Sequence, residues 1–367
     1  VRVREEALHR ATAADHTAAD IAEYQRARAQ ADATIQREKT EFFRSEITRL
    51  GPNADMWGLI RTLDGRKPPA KPAEPLNRPS LPGLPPPQRP AITDQEKADV
   101  LCQTYASVSR IPKDKGTDNP IKLEARAALR ACECGGRKSG MCAPFSEAEL
   151  TAALQRIQPG KSPGPDGLPN DLLRQLSPAG KRELLELINS SWAQAEVPSA
   201  WRAAHIVAIP KKGKPPAETS SYRPISLLSA TSKLAERMVQ ARLQHFLEAE
   251  GKINPHQAGF RRGHSTMDQL AGITQKIFDA FEKKPSHRAV LVLLDFQRAY
   301  DRVWRAGLYV KMSRLGVPSC VTRWVRALLS DRRAKVRWNG TLSRSRTFQE
   351  GLPQGSVLAP LLWLIYV

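Results

Sequence analysis

The stretch VLVLLDFQRAYDRVW, residues 290–304, decides how the second half of the chain is read. Val290 to Leu294 are consecutive branched aliphatic residues, the composition of a strand buried on both faces. Asp295 stands at the end of that run, where a carboxylate left unpaired would be costly to bury. The position alone leaves two readings open: the acid caps the following helix, or it holds a cation. Beyond it, Trp304, Leu308, Met312 and Leu315 share one helical face, which Gly316 and Pro318 bring to an end.

On the N-terminal side, STMDQLAGITQKIFDAF (265–281) reads as a helix, and TSKLAERMVQARLQHFLEAEG (231–251) as another, closed by Gly251. HIVAIPKKGKP (205–215) is a short strand running into a basic loop. Ser177-Pro178 has N-cap and first-turn chemistry for a helix through Leu184, Leu185, Ile188 and Trp192. Ser146 to Glu149 form a capping box ahead of Leu150, Leu154 and Ile157. The four prolines of QPGKSPGPDGLP (158–169) stop that helix. On the C-terminal side, Val321, Trp324, Val325 and Leu328 predict a helix, and KVRWNGTLSRS (335–345) predicts a hairpin with Asn339-Gly340 in a type I′ turn. Helices dominate and the few strands come late, so the fold class is α+β rather than alternating βαβ. No internal repeat is visible.

Residues 1 to about 63 read as helical, with a thin apolar stripe at Tyr24, Ala31, Ile35, Phe42, Phe43, Ile47 and Leu50. Such a helix needs a partner surface. From Arg66 to Pro90 prolines crowd the chain, which predicts an extended linker. The expected organisation is a helical extension over 1–65, a proline-rich linker over 66–92 and a helical or irregular segment over 93–144. Two further parts follow, 145–288 and 289–367.

The chain has 367 residues, room for two or three domains, and a formal charge of +20 from 57 Lys and Arg against 37 Asp and Glu. A chain this basic most often meets a polyanion, nucleic acid first among them; a solvated basic surface is the plain alternative. An aromatic fraction of 6% argues against a broad base-stacking platform. Five cysteines are too few for a disulfide scaffold and fit a reducing, intracellular setting. Cys132, Cys134 and Cys142 cluster beside Gly135 and Gly136, but three thiols without a nearby fourth ligand predict a free-thiol loop ahead of a zinc site. The start VRVREEALHR has no apolar signal core, and SVLAPLLWLIYV (356–367) is too short to span a bilayer, so it reads as buried core. Both ends read as cut rather than finished.

Five stretches gain meaning together: KSPGPDGLP (161–169), IPKKGKPPAETSSYRPISLLS (209–229), HQAGFRRGHSTMDQL (256–270), LLDFQRAYDRVW (293–304) and GLPQGSVLAPLLWL (351–364). In order and spacing, roughly residues 145–367 resemble the reverse transcriptase domain of non-LTR (LINE-type) retrotransposons. TEFFRSEITRL (40–50) and MWGLIRTLDGRKPP (56–69) look like the connector that follows the endonuclease in such elements.

The resemblance implies a right-hand polymerase: fingers over 145–288 and part of the palm over 289–367. It implies an RNA-directed DNA polymerase acting on an RNA template, a DNA primer and dNTPs, with two Mg²⁺ ions (Mn²⁺ as an alternative). The implied setting is intracellular, with nuclear action at the genomic target and no membrane. Asp295 matches the first-motif aspartate and the Phe296 carbonyl a further metal ligand, which favours the cation reading; Mg²⁺ takes hard oxygen ligands. Tyr300 falls at the steric gate that selects deoxyribose, and Asp301 at a structural position. Gln354 and Gly355 match residues lining the nucleotide pocket. Lys211 and Arg223 suit the triphosphate, and Arg261 and Arg262 the template backbone. Arg332, Arg333, Lys335, Arg337, Arg344 and Arg346 of the hairpin region could track phosphates as well.

One departure stands out: the family completes its metal site with a paired aspartate after the PQG motif, and no Asp-Asp pair occurs in these residues. The resemblance therefore implies a fragment inactive alone, with a non-catalytic RNA-binding remnant as the rival reading.

Overall fold

Side chains at fixed offsets start the helices. Ser146 accepts the Glu149 amide and Glu149 returns to the Ser146 amide, closing the expected box ahead of α4 (Glu147–Gln155). A second box, Ser265 with Asp268, opens α9 (Thr266–Glu282). Ser177 caps α6 (Pro178–Gln194), with proline in the first turn where no amide donor is needed. In the computed structural model the described residues are 7, 10–11, 17–50, 74–79, 89–112, 115–130, 140–283, 285 and 287–367. They form a mixed α+β fold in two units: 1–104, 208–223 and 336–344 in one; 105–207, 224–335 and 345–367 in the other.

The first unit holds α1 (Ala18–Leu50) and the start of α2 (Asp94–Val108). Tyr24 packs with Ala7, Ala11 and Ile92. Arg28 grips both oxygens of Asp94 at 3.0 and 2.9 Å. Glu96 accepts the amides of Ile92 and Thr93 at 3.0 and 3.1 Å and pairs with Arg89 at 2.7 Å. Burial raises the Glu96 carboxyl, but these donors outweigh it and hold the group below its ordinary value.

The expected linker departs from free extension at its described ends. Leu76 and Ala91, neither a proline, exchange backbone hydrogen bonds at 2.8 Å, and Asn77 N donates to Ala217 O at 2.8 Å. The stripe residues Ile35, Phe42, Phe43, Ile47 and Leu50 and the MWGLIRTLDG stretch lie outside the described side chains.

The other unit is built on a core running from Phe145 through Trp192 to Trp324. Phe145 and Trp192 lie 5.1 Å apart, Trp192 and Trp324 5.9 Å, each tilted. The Trp324 indole donates to Ser191 Oγ at 3.1 Å, so the buried ring leaves no unmet donor. Around it stand α3 (Lys115–Ala128), α4, α5 (Asn170–Arg174), α6 and α7 (Ser199–Arg202). They are joined by α8 (Ala230–Ala249), α10 (Arg305–Arg314), α11 (Ser319–Leu329) and α12 (Ala359–Tyr366). The final apolar run is buried core, as its composition implies: Leu361, Leu362 and Ile365 are inside.

The strands are β1 (Ala203–Pro210), β2 (Tyr222–Leu228), β3 (Arg332–Trp338), β4 (Thr341–Leu342) and β5 (Arg346–Phe348), paired in the order β2-β1-β3-β4 with β5 also on β3. The hairpin pairs Trp338 with Thr341 through Asn339 and Gly340, whose φ values of 46° and 88° suit the type I′ turn.

Two expectations are corrected. Val290 to Leu294 do not form a buried strand; they are 57% to 87% exposed and carry no strand assignment. A strand exists through its ladder, and none of the described strands pairs with this run. The thiol loop is not free either. Cys142 is disulfide-bonded to Cys320, with Cα atoms 6.3 Å apart, inside the ordinary bridging range. Cys132 and Cys134 lie outside the described residues. Spacing could not reveal a partner 178 residues away. Among the described residues, no helix is long and apolar enough to cross a membrane.

Candidate nucleotide pocket

The pocket is assembled by a loop, residues 349–358, that docks on two surfaces by close backbone approach. Gly351 N donates to Val303 O at 2.9 Å and Leu352 N to Tyr300 O at 2.7 Å. A side chain at Gly351 would put its Cβ 2.5 Å from the Asp301 carbonyl, and φ is +80° there, so glycine is required. Four residues on, Ser226 N donates to Gln354 O at 2.7 Å. Gly355, at φ +124°, leaves 2.5 Å between an added Cβ and Ser226 O. The GLPQGS loop therefore joins the 3₁₀ turn Tyr300–Arg302 to β2.

A buried cation ties the loop's entry. Arg305 donates its backbone amide to Glu350 Oε2 at 2.8 Å. Its guanidinium donates to the carbonyls of Gly351 at 3.2 Å, Phe348 at 3.1 Å and Glu350 at 3.2 Å. Burial pushes the Arg305 guanidinium down and the Glu350 carboxyl up. A small cavity beneath is lined by Ser226, Asp301, Arg332, Glu350 and Gln354 among others. Burial lowers the Arg332 guanidinium to about 9, with Arg305 adding to the effect and Glu236 and Asp301 opposing it.

Tyr300 sits in an aromatic cage. Its ring stacks on Trp363 with centroids 5.9 Å apart at 29°, and Phe260 meets it edge-on at 6.4 Å. Phe296 meets the edge of the same Trp363 at 5.7 Å. Burial raises the Tyr300 phenol. Three of the stretches singled out in the sequence thus meet at one ring. Phe260, Trp363, Arg305 and Glu236 were not singled out, because their contacts join stretches far apart in the chain.

The remaining site candidates divide. Asp295 is exposed. Among the described residues, no group of three or more His, Cys, Asp or Glu could hold a metal ion, so Asp295 and the Phe296 carbonyl do not make a complete Mg²⁺ site. Lys211 and Arg223 belong to the first unit. Arg223 is exposed, and Lys211 Nζ donates to Ser220 O at 2.8 Å. Arg262 is exposed. Arg261 instead folds its own loop: it donates to Glu248 at 3.1 and 2.6 Å and to the carbonyls of Asn254 and Gln257, both at 3.2 Å.

Comparison with known proteins finds relatives for the part of the chain that holds these features. The family described as Reverse transcriptase (RNA-dependent DNA polymerase) matches residues 209–367. The chain is 38% identical over 223 residues to the "Probable RNA-directed DNA polymerase from transposon BS" of Drosophila melanogaster, covering 61% of this chain and 24% of that protein. It is 35% identical over 218 residues to the "RNA-directed DNA polymerase from mobile element jockey" of the same fly, covering 59% and 24%. A more distant relative, the "Retrovirus-related Pol polyprotein from type-1 retrotransposable element R2" of Popillia japonica, is 27% identical over 221 residues, 60% of this chain and 29% of the relative. The chain spans about a quarter of the length of these curated relatives. Residues 209–367 are thus similar to the reverse transcriptase domain found in non-LTR retrotransposon polymerases.

Proposed function

We propose that residues 145–288 are the fingers and 289–367 the first part of the palm of a right-hand polymerase that copies an RNA template into DNA from a primer. The observation that carries this reading is the docking of the Gln354–Gly355 loop on the turn that bears Tyr300. It brings the two groups expected to face a nucleotide onto one hydrogen-bonded unit. Tyr300, backed by Trp363, offers a rigid ring under the sugar and rejects a 2′-hydroxyl by bulk. Gln354 and Gly355 line the pocket beside it. Lys211 and Arg223 carry charge of the sign a triphosphate requires, and Arg262 the sign for a template backbone. Residues 1–65 act as the connector to a preceding segment, and the polymerase works in the nucleus at its genomic target.

Divalent ions serve this family, and Asp295 is the residue here that would hold one. The described donors around Asp295 are too few to hold such an ion on their own. That same single carboxylate favours the second reading, an RNA-binding module without catalysis of its own.

The two readings separate in a chimera in which residues 145–367 replace the matching segment of the jockey polymerase. Under the polymerase reading the chimera extends a primer on an RNA template, and Asp295→Ala abolishes extension while sparing RNA binding. Extension that survives Asp295→Ala excludes the assigned role of Asp295. A folded chimera that binds RNA but never extends favours the binding module.

A further inference from the structure

Glu236 is the anomaly of α8. Its neighbours on the buried face are mostly apolar, among them Leu234, Ala235, Met238 and Val239, yet Glu236 is only 1% exposed. A charge in such a place persists only where donors satisfy it. Oε2 accepts from the Ser356 hydroxyl and from Leu358 N at 3.1 Å, and Oε1 accepts from Ser232 Oγ at 3.3 Å. Val357 N is a further donor. Lys233, Arg237 and Arg332 feel its charge. Apart from Ser232, every hydrogen-bond donor comes from residues 356–358, the turn directly after Gln354 and Gly355.

Ser356 passes the constraint on. A hydroxyl has one proton, and Glu236 takes it. The oxygen's lone pairs are then fixed toward Leu358 N at 3.2 Å and Ala359 N at 3.1 Å, at the start of α12. That helix carries Trp363, the ring stacked on Tyr300.

We propose that Glu236 is a positioning residue for the nucleotide pocket. Through Ser356 it fixes both the Gln354–Gly355 turn and the helix whose Trp363 backs Tyr300. The inference rests on the reading of this site given above. Glu236→Gln keeps the size but turns one acceptor into a donor facing donors.

The test is amide hydrogen exchange on the 367-residue chain, parent against Glu236→Gln, Glu236→Asp and Ser356→Ala, paired with affinity for a fluorescent dATP analogue. Glu236→Gln and Ser356→Ala are expected to speed exchange over 353–359 by about tenfold. Exchange in α6 and α11 stays at parental rates, Glu236→Asp recovers part of the protection, and dATP affinity falls in step while RNA affinity holds. Unchanged exchange at 353–359, or loosening spread evenly over the unit, overturns the proposal. Should Glu236→Gln not fold, Ser356→Ala decides by the same criterion. A parent chain that binds no dATP analogue counts against the pocket reading, while the exchange pattern still decides whether Glu236 holds the turn.

Discussion

Gly355 has no room for a methyl group: the Ser226 carbonyl stands 2.5 Å from where a Cβ would be, at a φ of +124°. Gly355→Ala is expected to destabilise the chain by about 1–3 kcal/mol, from strain and the lost Ser226–Gln354 contact. Gly272→Ala, in open space on α9, is the control and should leave stability level or raise it by up to about 1 kcal/mol. Urea midpoints of the three proteins check both. Tyr300 makes its own prediction at this scale. In the jockey chimera, Tyr300→Val should admit rNTPs and leave dNTP use largely intact, because the bulk under the sugar is gone; a variant that excludes rNTPs like its parent is not altered at the gate. The motifs singled out Tyr300, Gln354 and Gly355. Trp363 read only as core, because its contact with Tyr300 joins positions 63 residues apart (363 − 300), which no local spacing encodes.

Arg242 shows how one element is tied to another. From α8 it donates to both oxygens of Glu149 at 2.6 and 2.8 Å and to the carbonyls of Met141, Ala143 and Pro144, and it lies 4.0 Å over the Phe145 ring. Burial raises the Glu149 carboxyl, but Arg242 and the Ser146 donors outweigh it and hold it below its ordinary 4.5. A depressed carboxyl contributes stability above the unfolded value and loses it as pH falls through the folded one. Arg242→Met should therefore cost about 1–2 kcal/mol at pH 7, a figure kept low because Glu149 is a third exposed. The gap to the parent should narrow at acid pH, and urea midpoints at neutral pH and below the folded carboxyl's range measure it. At this scale the sequence reads well where the signal is local: the Ser146 box, the Ser177 cap and the Asn339-Gly340 turn all stand as expected. Val290 to Leu294 misled because composition reports a preference for burial, while a strand needs a neighbour to pair with. Cys142 misled for the same reason, its partner being remote.

For the whole molecule the dominant quantity is the charge of +20. RNA affinity should fall steeply with salt, log K declining linearly with log salt as counterions are released, and filter binding from low to physiological salt reads the slope. A flat response removes the polyanion reading. The central claim is narrower: that the turn of Tyr300 and the loop of Gln354 form a nucleotide pocket. Photocrosslinking of the chain with an azido-dATP analogue, followed by peptide mapping, addresses it most directly. Labelled peptides are expected within 296–302 and 351–358, with labelling competed by unmodified dATP and weakened by Gly355→Ala. Labelling confined to other peptides, or labelling that dATP does not compete, contradicts it.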